Sequence, residues 1–333
     1  MAHKTTVRDV AAAAGVSPAT ASRALSGHPS VNPEMARRVL KASHELGYSA
    51  NVFARALRTQ RTDTIGMVVP SISNPYFVVA VEAVEKVLAD TDRSLILCDS
   101  RDSVATESAR INLLVQRMVD GLLVIPVSTE GSAAAVRTAA CQLPLVQFDR
   151  FADGAGTDFV GSDDGEGIRQ CIDHLRSRGC ASVAYVGARP STSTAAERLR
   201  AFLDHTADRP VPDHWVQLGD FSAEWGRRAA DAMLQAGPLP DGIVCGADVI
   251  AVSLLSTLRA ASVDVPGEVM VVSYDDSTLG SLTVPSLTSV RQPVASMARE
   301  AVRLLDHRAR HADASIRKSV FDPQLVVRDS SGG

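Results

Sequence analysis

From Thr62 onward the chain alternates short apolar runs with helical stretches, and this alternation constrains the fold more than any other feature. Strand-like runs occupy residues 65–69, 94–98, 121–125, 145–148, 183–186, 215–218, 243–244 and 269–273. Helical segments between them occupy residues 77–90, 105–119, 165–178, 223–236 and 247–261. Near-continuous apolar strands that alternate with helices are typical of parallel sheets covered by helices on both faces. So many units require two sheets, which predicts an α/β body of two doubly wound subdomains.

The first sixty residues have a different pattern, that of short helices joined by tight turns. Thr5 or Thr6 can cap a helix that opens at Val7 and stops at Gly15, a residue that tolerates positive φ. Ser17 is a good N-cap for a second helix that ends near residue 25. Two short helices joined by a tight turn predict a helix-turn-helix.

A third helix is predicted from Pro33 to about Leu46, with Asn32 as its cap and Gly47 at its end. Its apolar residues recur at helical spacing, so we expect them to close a small core with the first two helices. These residues are Met35, Val39, Leu40 and Leu46.

The net charge of −4 hides an asymmetry between the two parts of the chain. Residues 1–61 hold nine Lys or Arg against three acids, a net charge of +6, which leaves −10 for the rest. A basic head on an acidic body is typical of a segment that meets phosphate, although a charge excess alone is equally compatible with a solvated face.

The second helix opens with small and hydroxyl-bearing residues, which lets its N-terminus enter a major groove closely. Ser17, Thr20 and Ser22 can bond phosphates, and Arg23 is long enough to reach a guanine edge or a phosphate.

Residues 7–25, with Leu46-Gly47-Tyr48 and the segment from Asn51 to Thr59, resemble the headpiece and hinge of the lactose-repressor (LacI/GalR) family. The resemblance implies a headpiece at residues 1–47 and a hinge helix and linker at 48–61, the hinge ordering only on operator DNA. It implies DNA contacts from Thr6, Ser17, Pro18, Ala19, Thr20, Ser22, Arg23, Asn32, Tyr48, Asn51, Ala54 and Leu57.

In the hinge, the resemblance makes Leu57 the side chain that wedges into a base step and Asn51 a minor-groove contact. The cost of unstacking is offset by wider contact with bent DNA. Ala50 departs from the family, which usually has proline there, so we expect the hinge to order less readily.

The resemblance extends through the body, on motifs that include Ser73-Asn74-Pro75-Tyr76-Phe77, Tyr274-Asp275-Asp276 and Leu287-Thr288-Ser289-Val290-Arg291-Gln292-Pro293. It implies a fold like the periplasmic sugar-binding proteins, with three crossings between two lobes within residues 62–333. Lobe 1 would hold about residues 62–161 plus 293–320, and lobe 2 about 162–292.

Ligands of open α/β sheets bind beyond the carboxyl ends of the strands, and in two lobes these ends face one another across a cleft. By resemblance, the residues there surround a small-molecule effector, with aromatic faces for a ring and Asp and Arg for hydroxyls or a carboxylate. These residues are Tyr76, Phe77, Asp149, Arg150, Asp163, Arg198, Phe221, Trp225, Asp248 and Asp275. Ala247 stands where the family commonly has an effector-contacting asparagine, so one polar anchor is missing.

No motif supports catalysis, since GxSxG, P-loop, HExxH and strand-linked GxGxxG patterns do not occur. We therefore expect neither an enzyme nor a cofactor. The five cysteines are scattered and the eight histidines lack ligand spacing, so no metal is expected. A solute-binding transport component would share the body fold, but the basic head and the lack of a signal-peptide pattern disfavour it.

The expected function is therefore sequence-specific transcription regulation by a repressor that a sugar-like metabolite controls allosterically. A headpiece this small needs a second copy to read a pseudo-palindromic operator in double-stranded DNA, so we expect a homodimer. No leucine heptads follow Arg328 to tie dimers into tetramers. No apolar run approaches the ~20 residues of a membrane span, and a cytoplasmic, nucleoid-associated location is expected.

Overall fold

The computed structural model describes residues 5–25, 28, 30–48 and 61–332. The chain divides into two compact units, residues 1–62 and 63–333, called here the head and the body. The predicted hinge helix, with Ala50, Asn51, Ala54 and Leu57, lies outside the described residues.

The described part of the head contains the helices α1 (Val7–Ala14), α2 (Pro18–Leu25) and α3 (Pro33–Glu45), as predicted. Thr6 begins α1 with a capping box, in which the Thr6 N–H donates to the Asp9 carboxylate at 2.8 Å and the Thr6 hydroxyl accepts from the Asp9 N–H. Gly15 ends α1 in the left-handed region at φ 64°, which turns the chain toward α2.

The core of the head is made of small residues, and the prediction for α3 is wrong in part. Val39 is buried, but Met35, Leu40 and Leu46 are 42%, 54% and 40% exposed. Helices α1 and α2 are much shorter than α3, so they cover only its middle, and Leu40 lies about 100° around the helix from Val39. The buried apolar residues are Val10, Ala11, Ala14, Ala21, Ala24, Val39 and Ala42.

The described part of the body contains two six-stranded sheets, each the centre of one lobe. Sheet A has the order β11-β5-β4-β3-β1-β2 and is parallel throughout. Its strands are β1 (Thr64–Val69), β2 (Ser94–Asp99), β3 (Gly121–Val124), β4 (Leu145–Phe148), β5 (Asp158–Ser162) and β11 (Lys318–Phe321).

Sheet B has the order β12-β10-β9-β8-β6-β7, and its edge strand β12 is antiparallel to β10 while the others are parallel. Its strands are β6 (Val183–Ala188), β7 (Val216–Gly219), β8 (Gly242–Cys245), β9 (Met270–Tyr274), β10 (Thr288–Arg291) and β12 (Gln324–Val326).

Helices cover both faces of each sheet, which buries successive side chains of a strand in different cores. Met67 and Val68 of β1 lie in separate clusters, as do Ile243 and Val244 of β8. Lobe 1 has α4 (Pro75–Ala89), α5 (Val104–Gln116), α6 (Ala133–Ala140) and α12 (Val294–Arg310). Lobe 2 has α7 (Asp164–Ser177), α8 (Ser193–His205), α9 (Ala223–Ala236), α10 (Asp248–Ala260) and the short α11 (Thr278–Ser281).

In residues 61–332 the chain passes between the lobes three times, after β5, after β10 and after β11. The last passage places β12 and the final 3-10 turn, Asp329–Ser331, on lobe 2, a segment that the sequence left unassigned. Because all three passages lie near the ends of strands, the two lobes are joined beside the cleft that their strand ends form.

Candidate DNA-reading head and interlobe cleft

The start of α2 is exposed and is held by a local bond between two hydroxyl-bearing residues. Ser17 Oγ accepts a hydrogen bond from the Thr20 N–H at 3.1 Å and lies 2.9 Å from Thr20 Oγ1. Pro18 and Ala19 are exposed beside them. A capped helix N-terminus with small exposed side chains can approach a nucleic-acid groove closely.

The other described DNA candidates lie on α2 or at helix ends. Arg23 is exposed in the last turn of α2, and Ser22 is half-buried on the same helix. Asn32 caps α3 by accepting from the Glu34 N–H at 2.8 Å, and Tyr48 packs against the head core. Thr6 is the cap of α1 described above. Their contacts with DNA stay a prediction.

Sequence reasoning missed Arg38, which it counted only as part of the basic charge. The Arg38 guanidinium donates to the Ala14 carbonyl oxygen and lies 3.4 Å from the Gly15 carbonyl oxygen. It therefore satisfies carbonyls that the end of α1 leaves without helical partners. Arg38 connects α3 to the turn between α1 and α2.

In the cleft, Tyr76 of lobe 1 lies at the centre of a buried polar group. Asn74 caps α4 and Pro75 takes its first position, which fixes Tyr76 in the first turn. Tyr76 Oη donates to Asp149 Oδ1 at 2.5 Å and lies 3.1 Å from Gln292 Oε1. Gln292 Nε2 in turn donates to Asp275 Oδ1 at 3.0 Å. These contacts link the strand ends of both sheets.

Arg198 of α8 is the central cation of lobe 2. Its Nε donates to Asp164 Oδ1 at 2.6 Å and its Nη1 donates to the Gly246 carbonyl oxygen at 2.7 Å. Asp275 Oδ1 lies 3.7 Å from the same Nη1, and the Tyr274 ring lies 3.6 Å below the guanidinium carbon. Two hydrogen bonds, a second carboxylate and an aromatic ring thus fix the position of the guanidinium.

Burial dominates the electrostatics of these groups. It raises the pKa of Asp149 and Asp275, and raises the pKa of Asp164 to about 6 although Arg198 opposes the change. Burial and the Asp149 charge also raise the pKa of Tyr76, so its hydroxyl keeps its proton and acts as a donor. The cleft therefore offers several acceptor carboxylates beside fixed donors.

Arg150 lies close to two aromatic rings that belong to different lobes. Its guanidinium carbon is 5.2 Å from the centre of the Phe77 ring and 4.9 Å from that of Phe221. Phe77 lies in α4 of lobe 1, whereas Phe221 follows β7 of lobe 2. One side chain thus contacts an aromatic ring of each lobe.

Two cavities of different volume lie beside Arg150 in the cleft. An inner cavity of about 10 Å³, lined by Tyr76, Asp149, Arg198 and Asp275 among others, is nearly filled. An outer cavity of about 310 Å³ is lined by Ser71, Ser73, Asn74, Phe77, Asp102, Arg150, Phe221, Ser222, Ala223 and Val249. Arg150 borders both.

Seven of the predicted effector residues are brought together around the inner cavity, and three are not. The seven are Tyr76, Phe77, Asp149, Arg150, Arg198, Phe221 and Asp275. Asp163 instead caps α7 by accepting from the Glu166 N–H at 2.9 Å. Asp248 is bonded inside lobe 2, to the Ser277 N–H and the Ser289 hydroxyl. Trp225 donates from Nε1 to the Gly187 carbonyl oxygen at 3.0 Å.

The sequence-based prediction missed several residues of the cleft. Asp164 takes the place expected for its neighbour Asp163, because Asp163 is used as the helix cap. Gln292 follows β10, so its position after a strand was a signal that could have found it. Thr194 and Asn74 also line the inner cavity. Ala247 is buried in the lobe 2 core and gives α10 no side-chain cap.

Family models of known proteins match both the head and the body of this chain. Residues 6–51 match the family described as "Bacterial regulatory proteins, lacI family", and residues 172–331 match "Periplasmic binding protein-like domain". An HTH-type transcriptional regulator of Streptomyces limosus, named for the aml 5' region and uncharacterized, is 33% identical over 334 residues, 97% of this chain and 93% of its own length. This chain belongs to the lacI family of bacterial regulatory proteins.

Other relatives agree with this membership. The HTH-type transcriptional repressor PurR of Photobacterium profundum is 29% identical over 98% of each chain. A crystal structure of the lac repressor dimer, bound to operator and the anti-inducer ONPF, matches with a TM-score of 0.89 at 23% identity over 99% of each chain. The last likeness confirms the predicted fold class. This lacI-family chain is a DNA-binding transcription regulator.

The comparisons also decide between the function classes considered from the sequence. The relatives are named as transcription regulators, which confirms that this lacI-family chain is not an enzyme. Within the described residues, no helix is both long enough and apolar enough to span a membrane, and no cluster of three His, Cys, Asp or Glu is placed to hold a metal.

Proposed function

We propose that this regulator is a dimeric repressor whose operator affinity is controlled by a sugar-like molecule bound between the lobes. The observation that carries the proposal is the polar chain Tyr76–Asp149 and Gln292–Asp275–Arg198, which joins both lobes beside a cavity. Its residues come from the strand ends of both sheets. A ligand that binds among them would therefore affect the relative arrangement of the two lobes.

The chemistry of the cleft favours a neutral, hydroxyl-rich ligand. Asp149, Asp164 and Asp275 lie there with Arg150 and Arg198, so the cleft holds one more carboxyl group than guanidinium groups. An added anion would increase this excess, whereas hydroxyl groups can donate to the carboxylates and accept from the arginines. The Phe77 and Phe221 rings supply flat apolar faces for a sugar ring.

Exposed apolar residues at the β2 edge of lobe 1 support the dimer. Val78 and Val79 of α4 and Ile96 and Leu97 of the edge strand β2 are all exposed. An edge strand with exposed apolar side chains is a surface that proteins usually cover. A second copy of the chain would cover it and bring two heads to two half-sites of a pseudo-palindromic operator.

Control of DNA binding follows from coupling between the cleft and the dimer. An effector that binds one arrangement of the lobes more tightly shifts the population toward it. A changed arrangement of the first lobes alters the spacing of the DNA-binding headpieces, which we place at residues 1–47 and connect to the body through residues 48–61. The regulator would act on the chromosome, in the cytoplasm.

The proposal is tested first on DNA. Fragments of the source genome are selected with the full-length protein, and their binding is measured by fluorescence anisotropy at several salt concentrations. We expect one or a few pseudo-palindromic sites bound at least ~10³-fold more tightly than bulk DNA. Uniform binding to all fragments would contradict sequence-specific repression.

The effector is then sought by a thermal-shift screen of sugars, nucleosides and small acids. A compound that raises the melting temperature should also change operator affinity, and Asp149→Asn should weaken both effects. Asp173→Asn, at an exposed position of α7, is the control and should leave both unchanged. A ligand that binds without any effect on operator affinity would contradict allosteric control.

A further inference from the structure

Arg150 borders both cavities of the cleft and contacts an aromatic ring of each lobe. Its side chain is 6% exposed, and its guanidinium lies over the Phe77 ring of lobe 1 and the Phe221 ring of lobe 2. A guanidinium over an aromatic face is attracted by the ring quadrupole, more strongly when water is excluded. Because the two rings belong to different lobes, this one side chain attracts the lobes toward each other.

The hydrogen bonding of Arg150 is incomplete for a buried cation. Among the residues that the structure describes, its buried Nε has no hydrogen-bond partner, and the carboxylate within 4 Å is Asp149, at 3.8 Å. Burial lowers the pKa of Arg150, while the charges of Asp149 and Asp102 oppose that change. A buried cation held mainly by stacking and by distant charges can be displaced at moderate cost.

The space on either side of Arg150 shows where it can go. The inner cavity of about 10 Å³ has room for about one water molecule and none for a sugar. The outer cavity of about 310 Å³ has Asp102 on its wall. An effector that fills the inner space therefore has to displace the guanidinium, and the outer cavity offers room and a carboxylate for it.

We propose that Arg150 is an interlobe latch, which holds the cleft closed when no effector is bound and is released when an effector enters. The release half of this statement depends on the proposed function, whereas the closing half concerns the ligand-free protein alone. The latch differs from an effector contact, because Arg150 occupies the binding position in place of the ligand.

Two interlobe hydrogen bonds allow closure to be measured without DNA or effector. The Thr129 N–H of lobe 1 donates to the Ser191 carbonyl oxygen of lobe 2 at 2.9 Å. The Phe151 N–H donates to Ser193 Oγ at 3.0 Å. Hydrogen exchange at these two amides reports opening of the cleft. The Leu122 amide, inside sheet A, reports unfolding of the lobe.

The experiment compares hydrogen exchange in full-length ligand-free protein and its variants. Arg150→Leu should speed exchange at Thr129 and Phe151 about tenfold, because both stacking contacts are lost, and leave Leu122 unchanged. Phe221→Leu should do the same, and the double variant should add little to either single one. Arg227→Leu, on the surface of α9, is the matched control and should change none of them.

Unchanged exchange at Thr129 and Phe151 in Arg150→Leu would overturn the latch, as would wild-type amides that exchange without protection. If Arg150→Leu unfolds lobe 1 and Leu122 exchanges faster too, Phe221→Leu decides, since it removes the partner ring and leaves the buried cation in place. Arg150→Lys keeps the charge without the planar stacking group, so it should open the cleft nearly as much as Arg150→Leu. These outcomes do not depend on operator binding.

Discussion

Arg198 Nε lies 2.6 Å from Asp164 Oδ1, and both side chains are 4% exposed, so a complete ion pair is buried at the inner edge of the cleft. Asp164 opens α7 and Arg198 lies in α8, and the pair joins these two helices. The bond from Arg198 to the Gly246 carbonyl oxygen adds the end of β8. Hydrogen bonds of Arg198 therefore connect three elements in the lobe 2 wall of the cleft.

Removal of one partner should cost far more than a surface pair does. Asp164→Ala removes the acceptor of the buried Arg198 Nε–H, and we expect a loss of about 3 kcal/mol in the free energy of unfolding. Asp173→Ala breaks an exposed pair with Arg169 on the same helix and should cost at most ~1 kcal/mol. Urea denaturation followed by circular dichroism measures both, and equal losses would contradict the assignment.

The raised pKa of Asp164 predicts a specific pH dependence. Burial raises its pKa from 3.8 to about 6, so the folded state binds a proton that the unfolded state has released between these values. The stability from this group is present below pH 3.8 and is lost as the pH rises through 6. Lowering the pH from 7 to 5 should therefore stabilise the wild type by about 1 kcal/mol relative to Asp164→Asn.

The comparison with Asp164→Asn isolates this one carboxyl group. Burial lowers the pKa of His174, which acts in the opposite direction, but His174 is present in both proteins and cancels. Asp173→Asn is the control and should follow the wild type. Denaturation curves at pH 5, 6 and 7 provide the data, and a pH-independent difference between wild type and Asp164→Asn would show that the pKa is not raised.

The turn of the head depends on Gly15 for two separate reasons. At φ 64° an alanine is strained, and its Cβ would lie 2.9 Å from Arg38 Nη2. Gly47 has a similar φ of 58°, but nothing lies within 4 Å of its Cβ position. Both substitutions introduce a backbone strain of about 1–2 kcal/mol. The difference between the effects of Gly15→Ala and Gly47→Ala therefore isolates the contact with Arg38.

We therefore expect Gly15→Ala to weaken operator binding more than Gly47→Ala. Exchange at the Val16 amide, which donates to the Ala11 carbonyl oxygen at 3.0 Å, should become faster in Gly15→Ala only. Anisotropy with a selected operator fragment and hydrogen exchange on the full chain test this. Equal effects of both substitutions would indicate that Arg38 moves aside without cost.

The fold was predictable where periodicity was strong and not where polar residues fill buried positions. β1, β3 and β8 are continuous apolar runs, but β10 reads Thr-Ser-Val-Arg and its buried hydroxyls gave no apolar signal. Those hydroxyls are acceptable inside because they are bonded, as in the contact of Ser289 Oγ with Asp248. Such pairings join residues 41 apart, which local patterns do not show.

The location of the candidate site was predictable from the sequence. Which of two adjacent residues contributes to the site was not. Strand ends placed Asp149 and Asp275 in the cleft, yet the choice between Asp163 and Asp164 depends on which carboxylate caps α7. The contact of Arg150 with rings of both lobes depends on the distance between the lobes, which no segment of the sequence contains. The alanine-rich head core was misjudged for a similar reason, since the length of α1 and α2 decides which part of α3 is covered.

Arg23 should distinguish base reading from phosphate contact. Arg23→Ala should lower affinity for the selected operator by about 1–3 kcal/mol and relax the preference at one base pair, if the guanidinium reads a base edge. Anisotropy on a set of single-base operator variants shows the loss of preference. Arg37→Ala, on exposed α3, is the control for the loss of one charge. Equal loss on every sequence would make Arg23 a phosphate contact.

The exposed apolar residues at the β2 edge of lobe 1 predict how to make a monomer. Leu97→Arg places a charge on the exposed edge strand β2, where a second copy would have to bury it without a partner, at a cost of several kcal/mol. Leu203→Arg on α8 of lobe 2, at a similar exposure of 47%, is the matched control and should stay dimeric.

Light scattering of both variants at micromolar concentration gives the mass, and operator affinity should fall together with the dimer because one head reads only one half-site. Dimers in both variants would place the interface elsewhere on the molecule. A salt-independent tetramer in the wild type would show a second interface.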